Sequence, residues 1–314
     1  MSKSAIKQLV LATARRSTAI QRVSAFITSN LQNGSEIQNG ESVCGAATQS
    51  EPAPRDTYQY LKAKFIENGR DHKVNEAIRA DIVSRFETID REVPIGSTPT
   101  DGLFLAEMLL NLDAHGTIVE CGCYAGGSSS KLSIIARFLD RKVIVFDSFE
   151  GLPEVDSYFL RDVHCRRNDD WVTDWTAGRY ASHQSIVETN ISKYGEISHC
   201  SFVKGWFSES MTNENLPEQI AFAFVDVDLA NSARDCFTAI WPRLSENGIF
   251  VTHDTAYIKV LQQFYDREIW KSFGEIPPIL FGAGFGLCNE SPHIGYMVKE
   301  SQSPDYLKSL TIDK

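Results

Sequence analysis

The chain has 314 residues, 42% hydrophobic and 23% charged, enough for one large domain or two modest ones with a self-sufficient core. Its formal net charge of −10 argues against a broad nucleic-acid surface, which needs a basic footprint. No run reaches the roughly 18 apolar residues of a membrane span. The seven cysteines are scattered, as suits reduced thiols rather than a disulfide framework or a zinc site.

Residues 1–35 carry Lys3, Lys7, Arg15, Arg16 and Arg22, and the first acid is Glu36. Two readings stay open. One is an organelle transit peptide; the other is a basic amphipathic helix of a cytoplasmic protein that packs on a partner or helps close the active site. The turn formers Asn33-Gly34 and Asn39-Gly40, with Pro52 and Pro54, make 31–55 a linker. Residues 1–55 are therefore read as a basic, flexible segment and linker. Residues 56–97 are read as a helical cap region. Tyr60, Leu61, Phe65, Ala77, Ile78, Ile82 and Phe86 recur at steps of three and four, interrupted at Asn68-Gly69. These helices are expected to supply one wall of a substrate site.

From Thr98 helices and strands alternate. Thr100 or Asp101 is expected to cap a helix through Leu103, Leu105, Met108 and Leu109. Strands are expected at 117–119, at 143–146, ending at Val203, at 221–225 and at 249–251. Helices are expected at 129–139 and around Cys236, Phe237 and Ile240. Continuously apolar strands between helices imply a parallel sheet covered on both faces. Residues 285–288 and 294–298 flank Asn289-Glu290-Ser291-Pro292 and read as an antiparallel hairpin at one edge. The fold class is α/β: a Rossmann-like, seven-stranded, mostly parallel sheet with an antiparallel C-terminal hairpin, plus N-terminal helices. This domain is expected to span 98–300, with a tail at 301–314.

The run Glu120-Cys121-Gly122-Cys123-Tyr124-Ala125-Gly126-Gly127-Ser128 follows a strand and opens a helix. Glycines let the backbone turn tightly and approach a ligand. The helix start offers free amides and a positive dipole end to an anionic group. The spacing is not the G-x-G-x-x-G of dinucleotide folds. It is similar to motif I of class I methyltransferases, whose acid faces the amino end of a methionine moiety. Asp147 ends the next strand, where a carboxylate can accept both hydroxyls of a ribose. Glu120, Gly122, Tyr124, Gly126, Ser128, Asp147 and Ser148 are thus candidates for binding S-adenosylmethionine. Gly205 and Trp206, in a loop after a strand, are candidates for the adenine, with Trp206 stacking on the base.

The run 147–153, Asp-Ser-Phe-Glu-Gly-Leu-Pro, resembles a signature of the macrocin O-methyltransferase family. The segments 119–122, 126–128, 204–207, 225–229 and 241–248 resemble it in the same order. The resemblance covers about 98–300. It implies a magnesium-dependent, oligomeric O-methyltransferase acting on a hydroxyl of a small-molecule natural product. Its metal site would take an aspartate after the fourth strand and an Asp-Asp pair after the fifth. Asp226 and Asp254 match; His253 stands in place of the other aspartate.

A divalent cation held by carboxylates lowers the pKa of a hydroxyl acceptor, and hard oxygen ligands favour Mg²⁺. His253 leaves two possibilities open. As a ligand beside Asp226 and Asp254 it shifts preference from Mg²⁺ toward Mn²⁺, Fe²⁺ or Zn²⁺. As a general base it serves a metal-independent enzyme with an N or C acceptor. Asp226, His253 and Asp254 are the catalytic candidates in either case. An NAD-dependent oxidoreductase and a non-catalytic relic of an enzyme fold are the remaining alternatives. Residues 153–192, with Tyr158, Phe159, Trp171, Trp175 and Tyr180, are expected to form a lid over the acceptor.

Overall fold

The computed structural model describes residues 57–164 and 172–300. The basic segment and linker, the tail and part of the expected lid, Trp171 included, lie outside the described residues.

Three helices come first: α1 Thr57–Glu67, α2 Glu76–Glu92 and α3 Pro99–Leu110. The break at Asn68-Gly69 holds. The cap of helix α3 lies two residues before Thr100. Thr98 is its N-cap and Pro99 its first residue, and Asp101 closes a capping box with Thr98. This corrects the expected cap: Pro99 already has helical φ, so the chain turns before it. Helix α3 is buried on nearly every side. Leu61 and Phe65 of α1 and Ile82 and Phe86 of α2 join it in one apolar core with Ile118 and Phe222.

Next come β1 Thr117–Cys121, α4 Gly127–Leu139, β2 Val143–Asp147, β3 Arg161–Val163, β4 Val172–Asp174, α5 Gln184–Tyr194 and β5 Cys200–Lys204. They are followed by α6 Phe207–Ser210, β6 Ile220–Val225, α7 Ala230–Ile240, β7 Leu244–Thr252, α8 Ile258–Phe264, α9 Arg267–Phe273 and β8 Gly295–Val298. The main sheet runs β5-β2-β1-β6-β7-β8. All its pairs are parallel except β7 with β8. Strand β6 is buried at every residue, as a central strand covered on both faces must be. The order reverses between β1 and β6, so the C-terminal tips of β1, β2, β6 and β7 converge where α/β sheets bind ligands.

The sheet ends in an antiparallel pair, but only one arm of the expected C-terminal hairpin is a strand. Residues 295–298 pair with β7, whereas 285–288 make a loop. Gly282, Gly284 and Gly286 have φ of +87°, +77° and +67°, left-handed values that break a strand. Phe281, just before them, bridges to Tyr296 instead.

The stretch 153–192 has two characters. Its first part carries the small antiparallel pair β3–β4. Its last residues belong to α5, which buries Val187 and Ile191 in the main core. Among the described residues no helix is long and apolar enough to cross a membrane.

Candidate functional site

The converging strand tips line one cavity of about 670 Å³, within the range of small-molecule sites. Of the residues singled out in the sequence, Gly122, Tyr124, Ser128, Asp147, Ser148, Trp206, Asp226, His253 and Asp254 line it. Glu120, Gly126 and Gly205 do not. Of the helical region before Thr98, only residues 95–97 reach it; the helices themselves are not the expected wall.

One half of the cavity is built on β1 and β2. At Gly122 φ is +82°, and an added Cβ would fall 1.9 Å from the Asp226 carbonyl oxygen. Only glycine lets these two strand tips approach so closely. Asp147 is held by main-chain amides: Cys123 N–H donates to Oδ2 and Phe149 N–H to Oδ1, each at 2.7 Å. Each carboxylate oxygen keeps a second lone pair for a ligand hydroxyl. Glu120 is fully buried. The Ser129 hydroxyl donates to its Oε2, while Oε1 has no hydrogen-bond partner. Burial pushes the Glu120 carboxyl up to about 8, against opposing hydrogen bonds from Ser128 and Ser129. A buried carboxylate oxygen without a donor is costly, and retention of the proton relieves that cost.

The other half is built on β6 and β7. Asp226, His253 and Asp254 each offer a ligand atom, all within 4.8 Å of one another. His253 Nδ1 lies 3.4 Å from Asp226 Oδ1, and its Nε2 lies 3.3 Å from Asp101 Oδ2. Asp254 Oδ2 accepts the N–H groups of Val227 (3.2 Å) and Asp228 (3.0 Å). Burial and then the Asp226 charge push Asp254 up to about 7. Burial and the charges of Asp254 and Asp226 push Asp228 well up. Burial opposes a charge on His253, but the Asp226 charge and hydrogen bonds to Asp101 and Asp226 win and hold its pKa well above 6.5. Crowded carboxylates of this kind are relieved by a positive charge. The oxygen, nitrogen and oxygen donors fit a divalent cation.

The outer wall carries Trp175, Tyr180, Tyr257 and His293. Trp175 meets Tyr257 edge-on at 5.5 Å, and Tyr257 stacks on His293 at 5.8 Å. Burial and then the charges of His253 and His164 lower His293 to about 4, so it is neutral at neutral pH. Two buried polar atoms on cavity-lining residues lack partners: Trp175 Nε1, a donor, and Asn231 Oδ1, an acceptor. Trp175 and Tyr180 of the expected lid thus reach the cavity, whereas Tyr158 is exposed and outside its lining.

The sequence reading missed His293 and Tyr257, and missed Asp101 as more than a helix cap. Nothing near His293 in the chain marks it as functional; it joins the site only because β8 pairs with β7.

A family model described as Macrocin-O-methyltransferase (TylF) matches residues 104–274, more than half of the chain. A tetracenomycin-type 4'-O-methyltransferase from Streptomyces olivaceus, whose substrate is named as 8-demethyl-8-(2,3-dimethoxy-alpha-L-rhamnosyl)-tetracenomycin-C, is 30% identical over 170 residues. That match covers 52% of this chain and 62% of the relative. A mycinamicin III 3''-O-methyltransferase from Micromonospora griseorubida is 27% identical over 181 residues, covering 52% of this chain and 65% of the relative. The chain therefore spans less than two thirds of the length of either. Among solved structures, the O-methyltransferase NovP matches with a TM-score of 0.46 at 17% identity, over 78% of this chain and 98% of that one.

Proposed function

The chain belongs to the macrocin O-methyltransferase family, and from that premise we propose that it transfers a methyl group from S-adenosylmethionine to a hydroxyl of a sugar or related natural product, assisted by a divalent cation. The observation that carries this reading is the joining, in one cavity, of a nucleoside-type carboxylate, Asp147, to the Asp226, His253 and Asp254 cluster.

Each half has a share in the chemistry. Asp147 accepts the ribose hydroxyls, and its two amide bonds fix it for that before any ligand arrives. The orphaned Oε1 of Glu120 suits the amino group of the methionine moiety. S-adenosylmethionine, when bound, supplies an electrophilic methyl on its sulfonium. Asp226, His253 and Asp254 would hold Mg²⁺ or Mn²⁺, which when bound lowers the pKa of an acceptor hydroxyl. The unpaired Trp175 Nε1 and Asn231 Oδ1 suit a hydroxylated acceptor: one can donate to a ligand oxygen, the other can accept from a ligand O–H. The aromatic wall packs on its apolar faces.

Calorimetric titration with S-adenosylhomocysteine, with and without Mn²⁺, tests the reading. The expected result is saturable binding together with separate saturable Mn²⁺ binding that is lost in Asp254→Asn. Absence of S-adenosylhomocysteine binding under every metal condition would sink it.

A further inference from the structure

The geometry points to Asp101 as the positioning residue that aims His253 at the cation site. The inference rests on the proposed reading that Asp226, His253 and Asp254 hold a divalent cation.

Asp101 lies 152 positions before His253 in the chain and is fully buried. Its place in the capping box explains one of its bonds, the Thr98 N–H donated to Oδ2 at 2.7 Å. A capping carboxylate normally sits at a helix end near water. Burying it completely is tolerated only where donors and opposite charge surround it. Here the Ser291 hydroxyl, itself fully buried, donates to Oδ1, and His253 Nε2 faces Oδ2 at 3.3 Å. The nearby Lys131 ammonium is hydrogen-bonded to Asp90 instead.

An imidazole can present either nitrogen or a ring carbon to a site. With its Nε2–H held by Asp101, His253 presents Nδ1, 3.4 Å from Asp226 Oδ1, on the side of the cluster. Phe224 meets the ring edge-on at 6.5 Å and His293 lies across it at 5.6 Å, so rings border the imidazole on two sides. Metal-binding histidines commonly donate the other N–H to a carboxylate in this way, and loss of that partner typically weakens metal binding 10–100-fold. Where the family pattern has an aspartate, this chain has His253. An aspartate side chain has no N–H to donate to a carboxylate behind it; a histidine does, and Asp101 with Ser291 supplies the anchor.

The test uses the full chain and measures Mn²⁺ affinity by electron paramagnetic resonance and the visible spectrum of the Co²⁺ form. Asp101→Asn should bind Mn²⁺ 10–100-fold more weakly and change the Co²⁺ spectrum. Ser291→Ala, which leaves the helix cap intact, should move both readouts in the same direction by less, and it serves if Asp101→Asn does not fold. Thr98→Ala weakens the same helix end without removing the carboxylate and should bind as the wild type. Unchanged affinity and spectrum in both Asp101→Asn and Ser291→Ala would overturn the inference. So would a loss in Thr98→Ala equal to that in Asp101→Asn, since Asp101 would then act only as a cap. If the wild type binds neither metal, the cation reading itself falls. The His253 ring ¹⁵N resonances of the metal-free protein then decide: a shift in Asp101→Asn keeps the positioning role, and identical resonances overturn it.

Discussion

At the tips of β1 and β2 the Asp147 side chain is held by main-chain groups of the two adjoining turns, the amides of Phe149, two residues on, and of Cys123, just past the end of the neighbouring strand. At the tips of β6 and β7 side chains hold one another across long stretches of chain: His253 lies between Asp226 and Asp101, and Ser291 holds Asp101 in turn. The first half is a product of two adjacent strand tips and is set once β1, β2 and the turns after them are paired. The second exists only when α3, β6, β7 and the loop before β8 are all in place. Substitutions in the first half should therefore act locally. Those in the second should spread to every member of the chain of contacts.

The strongest way to break that separation is Gly122→Ala. Its new methyl would meet the Asp226 carbonyl at 1.9 Å in a left-handed backbone, pushing one half into the other. A stability loss on the order of 3 kcal/mol is expected, and it should weaken both S-adenosylhomocysteine and Mn²⁺ binding. Thermal unfolding and the two titrations check this; a variant that lost only one ligand would show the halves to be independent at this contact.

Asp147→Ala should sharpen the comparison. It removes a charged acceptor from two amides and from the ribose, so S-adenosylhomocysteine affinity should fall about 100-fold, as about 3 kcal/mol of charged hydrogen bonding implies. Mn²⁺ affinity should stay as it was. An Mn²⁺ affinity that fell in parallel would refute the local character of this half.

A last comparison concerns protons. Burial holds Glu120 near 8 against an ordinary 4.5. The unfolded chain releases this proton above about 4.5, and the folded one keeps it up to about 8. Stability relative to Glu120→Gln should therefore fall as pH rises through that window. An ammonium bound to Glu120 needs the carboxylate, so ligand binding at pH 7 should release up to one proton. Calorimetry in two buffers of different ionisation enthalpy measures that release. Glu120→Gln should abolish it, and a release that persists would remove Glu120 from the ligand's amino end.

The same division sets what could be read from the sequence. The order of strands and helices was legible, because buried parallel strands are continuous apolar runs and the glycines of 120–128 mark a turn between strand and helix. Asp147 was legible because a strand ends on it. Asp226 and Asp254 came from a family pattern rather than from their own spacing. The partner of His253 was not legible: Asp101 reads locally as a helix cap, which it also is. Likewise 285–288 has the composition of a strand, and only the left-handed glycines before and within it show why the chain loops there.

The insertion between β2 and α5 adds one more point. Asp162 in β3 is 3% exposed and accepts the N–H groups of Lys259 (3.0 Å) and Val260 (3.4 Å), so it caps the start of α8 from outside that helix. Lys259 returns the contact, donating from Nζ to the carbonyls of Tyr158 and Arg161. The wall that carries Trp175 and Tyr180 is thus fastened to α8 by a small reciprocal clasp, and at its other edge to the loop after β2, where Leu152 N–H donates to the Arg179 carbonyl and Gly178 N–H to the Leu152 carbonyl. That wall is therefore a span held at both ends, and a change in its length would be felt by both halves of the cavity.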